Sequence, residues 1–180
     1  INTALDEGVS HIDTARHYAK AEEGVVLGLG SRRKETFLAT KVWADTVEVA
    51  EKSLATSLAT LKTDYVDLLY FHSLGNRDVE AAMKPDGVFS WLVKQKKAGK
   101  TRFIGISGHN YPGRFVPFLE SGEVDVMMVL MSFVDRYTYN FEEKALPVAR
   151  KHNVGAIAMK VFGGPLGGFA SYSGPKVPPF

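Results

Sequence analysis

Four side chains in this 180-residue chain are of types that move or stabilise protons at a polarised oxygen: Asp13, Tyr18, Lys41 and His72. Asp13 closes the apolar run His11-Ile12-Asp13, and Tyr18 follows on the next loop. Lys41 closes Ala39-Thr40-Lys41, and His72 closes Leu68-Leu69-Tyr70-Phe71-His72. Taken singly, each has a plain reading. An Asp after a strand usually caps a helix, a Lys at a strand end is usually solvated, and a lone His usually satisfies a local hydrogen bond. Taken together they suit the reduction of a carbonyl. Hydride delivered to a carbonyl carbon leaves an oxyanion that must be protonated. A phenol with a pKa near ~10 is a poor acid at neutral pH unless a cation stabilises its phenolate. Lys41 can be that cation for Tyr18, Asp13 can hold Lys41 and offset its burial, and His72 can orient the carbonyl oxygen. Trp43, beside the lysine, would give the substrate an apolar wall.

Such residues work jointly only if the chain brings them to one place. Short apolar runs alternate with helical patterns, the signature of repeated βα units and a parallel sheet. Strands are predicted at Ser10–Asp13, Thr36–Lys41, Tyr65–Phe71, Arg102–Ser107, Val124–Leu130 and Val154–Val161. Most are continuously apolar, as strands covered on both faces are. The clearest helix is Thr46–Lys62, with Ala50, Leu54, Leu58 and Leu61 as its apolar stripe. Asp45 is read as its cap, with Glu48 as the capping-box partner. A second helix spans about Asp86–Ala98 and stops at Gly99. A third, Glu142–Lys151, contains Pro147, which predicts a kink or a late start.

Polar residues recur at the C-terminal end of strand after strand: Asp13, Lys41, His72, Ser107 and Ser132. A barrel gathers all such ends around one axis, whereas an open doubly wound sheet concentrates its binding residues at one switch point. No G-x-G-x-x-G opens a helix. The expected fold is therefore a (β/α)8 TIM barrel forming one domain over residues 1–180. It is expected to be incomplete in this chain, with the first strand before Ile1 and the eighth after Phe180. Open strand edges would then favour self-association.

The run Gly8-Val9-Ser10-His11-Ile12-Asp13-Thr14-Ala15 with Tyr18, Glu22 and Gly28 resembles the signature of the aldo-keto reductase family around its catalytic Asp and Tyr. Thr40-Lys41-Val42-Trp43 resembles that family's lysine strand, and Asp67-Leu68-Leu69-Tyr70-Phe71-His72 its histidine strand. Ile104-Gly105-Ile106-Ser107-Gly108-His109 resembles the strand that presents a serine to the nicotinamide carboxamide. The resemblance covers nearly the whole chain. It implies Asp13, Tyr18, Lys41 and His72 as catalytic residues, NADPH or NADH as hydride donor, and a small aldehyde or ketone as substrate. It places cofactor contacts at Ser107, Gly108, His109, Met128, Met159, Lys160 and Gly163. The chain departs from the family pattern where Gly108 and His109 stand in place of Asn after the serine. Met127-Met128-Val129 stands where a Gln is common, and Met159 where an aromatic residue often stacks on the nicotinamide. The Met159-Lys160 pair resembles a prokaryotic branch of the family.

Composition bounds the remaining readings. A net charge of +2 gives no reason to expect nucleic acid or an anionic membrane as partner. The absence of cysteine excludes disulfides and thiolate metal sites. No apolar run is long enough to cross a bilayer and no secretory pattern opens the chain, so a cytoplasmic location is the default expectation. Two alternatives stay open. One is a reductase-like subunit that binds cofactor or a partner without turnover. The other is a metal-dependent hydrolase on the same barrel, using His11, Asp13, His72 and His109, although that reading leaves Tyr18 and Lys41 without roles and the reductase reading assigns no metal.

Overall fold

The computed structural model describes residues 1–161. Six strands, β1 (His11–Asp13), β2 (Phe37–Val42), β3 (Val66–Phe71), β4 (Thr101–Gly108), β5 (Val126–Leu130) and β6 (Gly155–Met159), form one sheet in the order β1-β2-β3-β4-β5-β6. Every pairing is parallel. The order never reverses, so the switch point of a doubly wound sheet is absent among these strands. The helices are α1 (Asn2–Asp6), α2 (Ala21–Leu29), α3 (Val47–Leu61), α4 (Val79–Met83), α5 (Val88–Lys97), α6 (Val116–Glu120), α7 (Phe141–Lys144) and α8 (Leu146–Lys151).

Strand alternation sorts the side chains into two layers. Leu38, Val42, Leu69, Phe71, Ile104, Ile106, Met127 and Val129 join the helices in one large core. Ala39, Leu68, Tyr70 and Met128, with Phe37, Phe103, Val126, Ile157 and Met159, form a second, smaller cluster built from strands alone. Helices thus cover one face of the sheet. The other face carries the inward layers of a barrel, and the chemistry-bearing residues share its parity. The central strands are buried on both faces as expected, whereas β1 and β6 are largely exposed.

Local details correct one expectation and bear out another, the interruption that Pro147 predicts. Thr46, not Asp45, caps α3: its hydroxyl accepts from the Val49 N–H at 3.4 Å. Asp45 is drawn away because its carboxylate accepts a 2.7 Å hydrogen bond from Arg77. The expected third helix is two helices. Asn140 caps α7, Ala145 at φ −118° separates it from α8, and Pro147 lies in the first turn of α8, where its missing N–H costs nothing. The helix ending before Gly99 behaves as read, with that glycine at φ 73°.

Asp67 fixes the N-terminal ends of the central strands. It accepts from the Leu38 N–H at 2.8 Å and from Arg102 at 2.7 Å, and it pairs with Arg33 at 3.0 Å. Its own burial opposes ionisation, but these donors together hold its carboxyl below the usual carboxylate range. Asp125 repeats the device one strand pair further on, between the Ile104 N–H and Lys96.

Candidate active site

At the opposite, C-terminal ends of the strands, β1 delivers Asp13 and β2 delivers Lys41. Lys41 is only 2% exposed, and a buried ammonium must find acceptors. It finds two: the Asp13 carboxylate, at short range, and the Thr14 carbonyl at 2.9 Å. Burial lowers the Lys41 pKa and the charge of Asp13 opposes that shift.

Tyr18 lies on the loop after β1, with Lys41 Nζ 4.9 Å from the centroid of its ring. The ammonium therefore meets the aromatic face. In the protein alone the phenol pKa is raised, first by burial and then by the negative charge of Asp13. The lowering expected from Lys41 does not appear in this state. His72 follows β3, its ring 5.9 Å from that of Tyr18 and nearly perpendicular to it. It is buried, and its Nδ1 has no partner among the described residues. Burial, reinforced by the positive charges of Lys41, His109, His17 and Arg77, holds its pKa down to about 3. His72 is consequently a neutral imidazole, able to donate a hydrogen bond but not to act as a cationic acid at neutral pH. The backbone turns sharply after it, with Ser73 at φ 58°.

Trp43 stands edge-on to His72 at 5.5 Å and stacks on His17 at 4.7 Å. The Arg77 guanidinium lies 4.9 Å over its ring. Sequence reasoning missed His17 and Arg77, and no local pattern marks them. It also missed Tyr70, which sits two residues before His72 and hence on the same sheet face.

The residues assigned to cofactor contact form a second group on the same face. Ser107 pairs in register with Met128, and Met128 with Ile157. The Ser107 hydroxyl is buried without a partner among the described residues, which suits a site that a ligand amide would complete. Met128 and Met159 belong to the inner cluster. His109 is partly buried, its pKa lowered by burial and then by Lys160 and Lys41. Lys160 is exposed, at φ 56°. Gly108 differs from the rest. A Cβ there would lie 2.8 Å from the Phe115 ring, so its lack of a side chain serves packing behind the sheet. Gly163 lies outside the described residues.

His11 packs on Phe37 at 5.0 Å. Among the described residues, no three His, Asp or Glu side chains come close enough together to share a metal ion. The hydrolase reading therefore has no ligand cluster to rest on. No helix among them is long and apolar enough to cross a membrane.

The sequence profile of the aldo/keto reductase family matches residues 1–177. A methylglyoxal reductase, DkgB, from Escherichia coli O157:H7 is 38% identical over 120 residues, covering 62% of this chain and 42% of the relative. The glycerol 2-dehydrogenase (NADP(+)) of Saccharomyces cerevisiae is 32% identical over 129 residues, covering 58% of this chain and 41% of that protein. Among solved structures, an aldo/keto reductase from Brucella melitensis superposes with a TM-score of 0.71 at 28% identity, covering 87% of this chain and 60% of the other. One from Klebsiella pneumoniae, in complex with NADP and acetate, gives 0.72 at 26% identity, covering 88% and 55%. The chain spans less than two thirds of the length of these relatives. Six strands in barrel order and a profile match across nearly the whole sequence agree: the chain belongs to the aldo/keto reductase family, and its fold is that of a (β/α)8 barrel represented here by six strands.

Proposed function

We propose that this chain carries the carbonyl-reducing centre of an NAD(P)H-dependent oxidoreductase that converts an aldehyde or ketone to an alcohol. The observation that carries the reading is the set of groups around Lys41, whose ammonium binds Asp13 and lies over the Tyr18 ring, with His72 alongside. Ser107, His109, Met128, Met159 and Lys160 are the described residues that would hold the cofactor, and the orphaned Ser107 hydroxyl fits a carboxamide. When bound, the reduced nicotinamide supplies the hydride. Neutral His72 donates a hydrogen bond that fixes the substrate oxygen, and Trp43 walls the pocket. Tyr18 gives its proton to that oxygen as negative charge develops there. The phenolate left behind is stabilised by the nearby ammonium, which Asp13 and the Thr14 carbonyl hold in place.

The test is oxidation of NADPH, followed by absorbance, with a panel of aldehydes and ketones. Methylglyoxal belongs in the panel because relatives are named for its reduction. Turnover is expected, with Tyr18→Phe lowering it by about a hundredfold or more while NADPH still quenches tryptophan fluorescence. Cofactor binding without turnover would instead indicate an idle reductase-like subunit. Neither binding nor turnover would defeat the reading for this chain.

A further inference from the structure

Tyr70 is a buried, titratable residue on the same face as the proposed centre, and the mechanism above leaves it unused. Its ring is fully buried and belongs to the inner cluster. It sits between Lys41 on β2 and Gly105 on β4, paired in register with both. At Gly105 a Cβ would overlap the Tyr70 ring, so the ring lies against that strand in space only a glycine leaves. Lys41 Nζ stands 5.6 Å from the Tyr70 ring centroid, within cation–π range. The same ammonium lies 4.9 Å from the Tyr18 ring. Asp13 and the Thr14 carbonyl accept two of its three N–H groups. The titratable groups around it are thus Asp13 on β1, the neutral His72 after β3 and His109 after β4, with the two phenols as its aromatic walls.

We infer that Tyr70, seated on Gly105, is a positioning residue for Lys41: its ring face is the inner wall of a two-ring cage that keeps the buried ammonium charged and in place. An ammonium taken out of water loses its hydration, and a single partly exposed carboxylate replaces only part of it. An aromatic face held rigidly beneath it supplies attraction without competing for its N–H donors. The ring is what matters here. The Tyr70 hydroxyl has no partner among the described residues and is not part of the cage.

This inference rests on the reading that Lys41 serves the carbonyl-reducing centre, but its test does not need turnover. The Lys41 side chain would be followed through a pH titration by carbon-13 NMR of the full chain, with its signal assigned by its loss in Lys41→Met. Tyr70→Phe keeps the ring and should leave the titration midpoint where it is. Progressively fluorinated phenylalanines at position 70 weaken the π-face at nearly constant shape and should lower the midpoint stepwise. Tyr70→Leu should lower it by about one pH unit. A midpoint that ignores fluorination would overturn the cage, and so would Tyr70→Phe falling as far as Tyr70→Leu. The fluorinated series decides the matter even if the leucine variant fails to fold. In the turnover assay the alkaline limb should move with the midpoint. If no variant turns over and the midpoint still moves, the reductase reading fails and the cage stands.

Discussion

Lys41 is the residue on which the proposed chemistry depends, because among the described residues it is the one buried cation that meets both a carboxylate and the Tyr18 ring. Lys41→Met keeps length and apolar volume but removes the charge, leaving a developing phenolate uncompensated. The expected result is a loss of NADPH-linked turnover of about a hundredfold or more, with the circular dichroism of the fold retained. A variant with undiminished turnover would remove Lys41 from the mechanism. His72 gives a prediction about stability. Its folded pKa of about 3 lies well below the ordinary 6.5, mainly because burial disfavours the imidazolium. Below about pH 6.5 the unfolded chain therefore binds a proton that the folded chain refuses, and stability falls as pH drops toward 3. Between pH 7 and 4.5 this group alone should cost roughly 2–3 kcal/mol. Urea unfolding at both pH values should show His72→Gln losing less stability than the parent chain. An equal loss in the two proteins would refute the account.

At the scale of elements, the sequence located strands and helices well because the apolar runs, the Gly99 stop and Pro147 are local signals. The cap of α3 was misread for a reason that local sequence does not contain. Arg77, from the loop after β3, takes the Asp45 carboxylate and leaves the capping to Thr46. Thr46→Ala should accordingly cost about 0.5–1 kcal/mol in thermal or urea unfolding, whereas Asp45→Ala should leave α3 nearly unaffected. The reverse ranking would restore Asp45 as the cap. Asp67 shows the opposite case, one side chain tying three elements together. Asp67→Ala leaves Arg33 and the Leu38 N–H without their buried acceptor. It should destabilise the chain by about 2–3 kcal/mol in urea unfolding, and a loss below 1 kcal/mol would show that water replaces the carboxylate there.

At the scale of the whole molecule, the strand order and the single helical layer separate a barrel from an open sheet. Among the described residues β1 and β6 each pair on one side only. Unpaired edges invite strand-to-strand contact between copies. We therefore expect this chain to self-associate as its concentration rises, measured by sedimentation velocity. Ala156→Lys, on the exposed face of β6, should shift the distribution toward monomer. A chain that stays monomeric at every concentration would remove the edges as association sites.

The succession of short apolar runs and helical patterns, and the habit of polar side chains to close apolar strand runs, are properties of consecutive residues. They were enough to identify the βα rhythm and to single out Asp13, Lys41 and His72. Tyr18, on the loop after the first of those runs, gained its role from the chemistry it makes jointly with Lys41, and the motif around it added the resemblance. The relations between those residues depend on which strands lie side by side and how far each is shifted along its neighbour, and no local pattern encodes that. Register places Tyr70 between Lys41 and Gly105. Loop packing brings His17 and Arg77 to Trp43. Burial makes His72 neutral and raises the Tyr18 phenol, because the cost of taking charge out of water is set by everything that surrounds the group. The sequence determined which chemical groups are available at the strand ends. The tertiary structure decided which of them meet and in what protonation state, because contact and dielectric environment are properties of the packed molecule.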